Sequence, residues 1–196
     1  VNPMQKWTLQ QVAFSAGGKC LMTCETRRSP ALERFDEDGT HGCVLKWWRL
    51  GEDGKYVLDS VAHDPHEADI TVALAHPHKD GLFVTASLDG TFKSWDLLPV
   101  GSAAGNLSGG SGAFAGALPT SASAAGASKC WQCIAMGSWH ARPVVSGCFS
   151  ADGSTLVLGF HGFAVLWEHD TASELQALPT AEPTDKVLQM CSAMAC

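Results

Sequence analysis

Leu82-Phe83-Val84-Thr85-Ala86-Ser87-Leu88-Asp89-Gly90-Thr91-Phe92-Lys93-Ser94-Trp95-Asp96-Leu97 decides the fold of this chain. Two short runs rich in Val, Phe, Thr and Trp flank Asp89-Gly90. β-Branched and aromatic side chains suit a pleated, half-buried surface. Asp bonds its own backbone and Gly accepts positive φ, so Asp-Gly between two such runs reads as a tight hairpin. Just upstream, Ile70-Thr71-Val72-Ala73-Leu74-Ala75 reads as a further strand ending at His76-Pro77.

The same pattern recurs on both sides. Downstream, Val144-Val145-Ser146-Gly147-Cys148-Phe149-Ser150-Ala151-Asp152-Gly153 leads to Thr155-Leu156-Val157-Leu158-Gly159-Phe160 and closes with Phe163-Ala164-Val165-Leu166-Trp167-Glu168. Upstream, Val12-Ala13-Phe14-Ser15 leads to Cys20-Leu21-Met22-Thr23-Cys24 and closes with Val44-Leu45-Lys46-Trp47-Trp48. Repetition of a multi-strand unit implies stacked units that share a core. No long segment carries 3.6-residue periodicity, so helix is a minor component. The fold class is all-β.

Spacing sharpens the reading. His66 lies four residues before Ile70 and precedes Trp95-Asp96; His140 lies four residues before Val144 and precedes Trp167-Glu168. Such a His-to-Trp-Asp spacing resembles the WD repeat, the unit of a β-propeller blade. The resemblance implies a hydrogen-bonded chain in the second repeat through His66, Thr85 or Ser87, Asp89 and Trp95. The third repeat departs from it, because His161 stands at the turn Asp position, which predicts an incomplete network around a buried His140 beside Trp167. The first repeat is degenerate, with Gln5 at the His position and Trp48-Arg49 for Trp-Asp.

The expected organisation is a propeller portion of about three blades, part of a longer protein. Residues 1–98 hold two blades with a charged loop insertion over 26–42. Residues 99–128 are almost pure Gly, Ala and Ser, a composition unable to bury a core, and are expected to form a disordered loop between blades. Residues 129–196 hold the third blade, with Ser173-Glu174-Leu175-Gln176-Ala177-Leu178 as an outer strand and Lys186 to Ser192 starting the next blade.

Composition bounds the function. The formal net charge is -7, which argues against broad phosphate binding. Arg27, Arg28, Lys46 and Arg49 are the local basic candidates for RNA contact. The opening Val1-Asn2-Pro3-Met4-Gln5-Lys6 lacks the apolar core of a secretory signal, and no apolar run reaches the 18 residues of a membrane span. Eight cysteines are therefore expected as reduced, small apolar fillers. Cys130-Trp131-Gln132-Cys133 has zinc-like spacing but no second pair, and His63, His66, His76 and His78 match no ligand pattern, so no metal or cofactor is expected. There is no G-x-S-x-G elbow, P-loop or G-x-G-x-x-G, so no enzyme activity is expected either. Trp7, Trp47, Trp131 and Trp139 fall outside the repeat Trp positions and are read as blade-packing residues rather than partner anchors.

Beyond the generic repeat, Pro65-His66-Glu67-Ala68-Asp69-Ile70-Thr71, the Leu82 to Trp95 hairpin, Trp131-Gln132-Cys133, Gly137-Ser138-Trp139-His140 and Gly147 to Ser154 resemble the WD repeat-containing protein 75 family. That family consists of nucleolar tandem-propeller proteins of the UtpA (t-UTP) subcomplex. The resemblance implies a scaffold in the small-subunit processome, acting in pre-18S rRNA processing and linked to transcription by RNA polymerase I. Implied partners are other WD-repeat UtpA subunits, with the 5′ external transcribed spacer of pre-rRNA and the U3 snoRNP contacted indirectly; neither a membrane nor a small-molecule substrate is implied. The alternative is a WD-repeat adaptor reading peptides in a ubiquitin ligase or chromatin assembly.

Overall fold

A computed structural model describes residues 7–27, 42–99, 118–119 and 129–180. The deciding hairpin joins β6 (Leu82–Ser87) to β7 (Thr91–Pro99), with Phe83 opposite Trp95 and Thr85 opposite Lys93. Its turn rests on Gly90 at φ 84°, a left-handed backbone that costs glycine nothing. Gly162, at φ 83°, plays the same part in the third unit, between Phe160 and Phe163.

Three four-stranded antiparallel units stand side by side. Blade one is β1 (Trp7–Phe14), β2 (Cys20–Arg27), β3 (Gly42–Leu50) and β4 (Tyr56–His63). Blade two is β5 (Ile70–Ala75), β6, β7 and β9 (Lys129–Ser138). Blade three is β10 (Ser146–Phe149), β11 (Leu156–Phe160), β12 (Phe163–Glu168) and β13 (Ser173–Pro179). A short β8 (Leu118–Pro119) adds to the outer edge of β4.

Each blade carries a register shift at the same place, immediately before its Trp. The shifts fall between Trp47 and Trp48, between Ser94 and Trp95, and between Leu166 and Trp167. The extra residue sits on the outer strand as Asp59, Ile134 and Leu175, respectively. A bulge re-aims side chains and raises local twist, so a shared bulge makes Trp48, Trp95 and Trp167 equivalent positions.

This topology corrects the domain boundaries. Residues 129–138 were expected in the third blade, yet β9 pairs along the whole of β7 and completes blade two. The Gly/Ala/Ser-rich stretch is therefore inserted within blade two, between its third and fourth strands, not between blades. The outer strand of blade one, β4, falls on a stretch to which the sequence reading gave no role. The charged loop is also narrower than 26–42, because β2 extends to Arg27 and β3 begins at Gly42. The proposed next-blade strand, residues 186–192, lies outside the described residues.

The core lies between the blades. Between blades one and two, Trp47 is fully buried and stacks on Trp131, with centroids 5.4 Å apart and planes 12° apart; Trp95 lies 5.3 Å from Trp47. Cys24, Cys43 and Cys133 fill gaps around them. Burial pushes the Cys43 and Cys133 thiols up to about 11, so they stay protonated and unreactive. Between blades two and three, Phe92 meets Trp167 edge-on at 4.8 Å, and Trp139 packs on Phe160 and Phe163. Three of the four non-repeat indoles are thus packing residues, whereas Trp7 stays 43% exposed on β1 with Leu9, Val12 and Phe14.

Gly137 is where β9 meets that second core. A Cβ there would lie 2.4 Å from Cε1 of Phe92, which is itself fully buried. Gly137→Ala is expected to cost about 1–3 kcal/mol, a typical overpacking cost, read as a lower midpoint in thermal unfolding.

Candidate functional site

The polar groups that the repeat pattern singles out converge in blade two. Trp95 Nε1 donates to Thr85 Oγ1 at 2.9 Å. Thr85 Oγ1 lies 2.9 Å from His66 Nε2, and His66 Nδ1 lies 3.1 Å from Asp89 Oδ2. Donor directions fix the tautomer. Asp89 only accepts, so His66 Nδ1 carries the proton; Nε2 then accepts from the Thr85 hydroxyl, whose oxygen takes the indole N–H. The chain runs Trp95 to Thr85 to His66 to Asp89, one proton per link.

Asp89 anchors it. Its Oδ1 accepts from Thr91 N and Thr91 Oγ1, both at 2.7 Å, and its Oδ2 accepts from Glu67 N at 3.0 Å. Burial alone would raise the carboxyl, but the bonds from His66 and Thr91 overcome it and hold Asp89 far below the ordinary carboxylate range. Burial lowers His66, although Asp89 pulls the other way, so the imidazole is neutral. Ser87 stands beside the chain: its hydroxyl accepts from Asp89 N and donates to Ala68 O, which braces the turn. Thr91 had not been singled out; its place two residues after a turn Asp is the signal that points to it.

The other blades keep less of this chain. In blade one, Trp48 Nε1 donates to Thr23 Oγ1 at 3.1 Å, and Thr23 sits two residues past the strand partner of Trp48, as Thr85 does relative to Trp95. In blade three the equivalent residue is Leu158, and Trp167 Nε1 has no acceptor among the described residues. His140 was expected to be buried and is exposed, at φ 49°. Trp139 is buried in its stead. Leu158 offers no hydroxyl and His161 no carboxylate, so an imidazole would be buried there without partners, whereas an indole gains packing on Phe160 and Phe163.

Of the basic candidates, the two with described side chains, Lys46 and Arg49, are not assembled into a phosphate site. Lys46 Nζ bonds both oxygens of Glu25 at 2.8 and 2.7 Å, and Arg49 meets Asp59 at 2.7 Å. Each cation faces an acid on the neighbouring strand, which cancels the charge that RNA would need. Arg27 ends β2, and Arg28 lies outside the described residues. Cys130 and Cys133 sit three apart on β9 and point to opposite faces, so they do not converge on one ion.

Buried polar groups that serve one another, repeated bulges and aromatic blade interfaces define a WD-repeat β-propeller. A sequence model described as the WD repeat-containing protein 75 second beta-propeller matches residues 2–196, and the chain belongs to that family. It is similar to WD repeat-containing protein 75 of Danio rerio, 26% identical over 96% of this chain and 19% of that protein. It is also similar to the Homo sapiens protein, 27% identical over 83% of this chain and 17% of that protein. The chain thus spans about one-fifth of the length of these relatives. Among solved structures, the β-propeller domain of Myceliophteria thermophila Cps50 (Swd1) superposes with a TM-score of 0.52 at 11% identity, covering 88% of this chain and 41% of that one.

Proposed function

We propose that this chain is a non-catalytic, load-sharing part of a scaffold in ribosome biogenesis, a subunit of the small-subunit processome acting in pre-18S rRNA processing. The observation that carries this reading is the family match across residues 2–196. The geometry supports the non-catalytic part. In the blade-two network, His66 and Asp89 spend their bonds on each other and on Thr85, Thr91 and Glu67. The side chain of His66 has no exposed surface, so it has no access to a substrate.

On this reading the partners are other WD-repeat UtpA subunits in the nucleolus, and the link to RNA polymerase I transcription follows from that assembly. Pre-rRNA is met through the assembly rather than through Lys46 or Arg49, whose charges are already answered. The test is a tagged purification of the full-length protein, with mass spectrometry of bound proteins and sequencing of bound RNA. The expected result is recovery of other processome propellers with the 5′ external transcribed spacer. Recovery of a ubiquitin ligase or chromatin assembly without pre-rRNA would replace this reading with that of a generic adaptor.

A further inference from the structure

The loop at 76–81, between β5 and β6, touches all three blades. Toward blade one, Asp80 Oδ1 accepts from Gly17 N at 2.7 Å, with Lys19 4.0 Å from its other oxygen. Toward blade three, His76 Nε2 meets Gly153 O at 3.1 Å and His78 Nε2 meets Ala151 O at 2.8 Å. Both carbonyls belong to the hairpin between β10 and β11.

His76 is the centre of this joint. Its Nδ1 accepts from His78 N at 3.1 Å and Lys79 N at 3.0 Å. A nitrogen that receives two N–H donors cannot also carry a proton, so Nε2 holds it and donates to Gly153 O. The neutral ring is therefore required by geometry. It is 4% exposed and packs on Phe149 at 5.2 Å and His169 at 5.1 Å. The hairpin approaches so closely that a Cβ on Gly153 would lie 2.5 Å from Cε1 of His76.

We propose that the 76–81 loop is a pH-sensitive clasp: with His76 neutral it locks blade two to the β10–β11 hairpin of blade three, and proton uptake at Nδ1 releases that hairpin. A proton on Nδ1 would confront the His78 and Lys79 amides with a donor, and the ring would have to leave its seat. The charged and titratable neighbours favour the neutral state. His78 and Lys79 face the ring from its own loop, and His169 from the turn between β12 and β13. Asp170 lies 2.8 Å from His169 Nδ1 and 3.7 Å from Lys79 Nζ, and Asp96 and Glu168 also act on His169. In the hairpin, Asp152 is held by Ser150 and Ser154. Burial comes first and His169 and Lys79 second in lowering His76 below its ordinary 6.5. The sign follows: the clasp holds above pH 6.5 and loosens as pH falls below it. Asp80 has no part in this step, so the loop stays attached to blade one.

The test is hydrogen–deuterium exchange of the full chain at pH 7.5 and 5.5, corrected for intrinsic exchange rates. By linkage, each pH unit below 6.5 can raise opening by at most about tenfold. Peptides covering 76–81 and 150–155 are expected to exchange faster at the lower pH, by up to about tenfold, while β6 keeps its protection. His76→Asn is the matched variant, because its side-chain oxygen still accepts the two loop amides in an Asx turn but does not titrate. In that variant the pH effect on both peptides is expected to vanish. Equal protection at both pH values in the parent chain overturns the proposal. So does a pH effect that survives in His76→Asn, or a loss of protection shared by β6.

Discussion

Trp95→Ala is expected to destabilise the full chain by about 3–5 kcal/mol, the usual cost of truncating a buried large aromatic, read as a fall in the denaturation midpoint. Trp95 is 2% exposed, and its ring lies 5.3 Å from the stacked Trp47 and Trp131 pair. Removing it opens a cavity at the boundary between blades one and two, where Phe83 and Cys133 also pack and a rigid sheet cannot collapse inward. It also takes the indole N–H away from Thr85, and with it one link of the chain to His66. Trp95→Phe separates the two losses. It keeps an aromatic ring and drops the donor, so a much smaller cost is expected, of which the hydrogen bond accounts for about 1 kcal/mol. A midpoint unmoved by Trp95→Ala would show that this indole does not hold the blades together.

Blade two was the most legible in sequence because its local signals agree. The Asp-Gly turn, the strands on either side and the His-to-Trp spacing all specify one hairpin, and His66, Thr85, Asp89 and Trp95 meet there. The choice between Thr85 and Ser87 was open because both are hydroxyls one side-chain period apart on the same face of β6. Register decides it: Thr85, not Ser87, faces both the indole and the imidazole. Blade three misled the reading, since spacing counts residues and does not weigh what a buried imidazole would bond. Once Leu158 and His161 stand at the partner positions, His140 turns outward and Trp139 turns in. The outer strands were also hard to place. β4 opens with half-buried Tyr56 and Leu58 around an exposed Val57, and β9 is separated from β7 by the long Gly/Ala/Ser-rich insertion, which hides their antiparallel pairing from any local pattern. The acid partners of Lys46 and Arg49 were hidden for the same reason, because Glu25 and Asp59 become neighbours only across strands.

Asp89→Ala is expected to cost about 3 kcal/mol, the upper end of the range for leaving buried hydrogen-bonding groups without their partner. Four donors converge on this carboxylate: His66 Nδ1, Glu67 N, Thr91 N and Thr91 Oγ1. Alanine leaves them to find water at a site where the His66 side chain has none. The pH profile distinguishes this network from packing alone. His66 sits below its ordinary 6.5, so the unfolded chain takes up that proton first, and stability that is complete above pH 6.5 falls as pH drops below it. Asp89 sits far below its ordinary 3.8, so its contribution is complete above that pH and is lost only as pH falls further. Denaturant unfolding of the parent chain is expected to show both losses in that order. In Asp89→Ala the second is smaller, because Asp152, held below 3.8 by Ser150 and Ser154, still contributes, whereas the first persists, since burial and not the carboxylate lowers His66. A variant whose loss below pH 3.8 was as large as the parent's would place its origin in another carboxylate. One in which the step below 6.5 shrank to the share of His76 and His169 would mean that the His66 imidazole had left its seat beside Thr85, and that the carboxylate rather than packing holds it there.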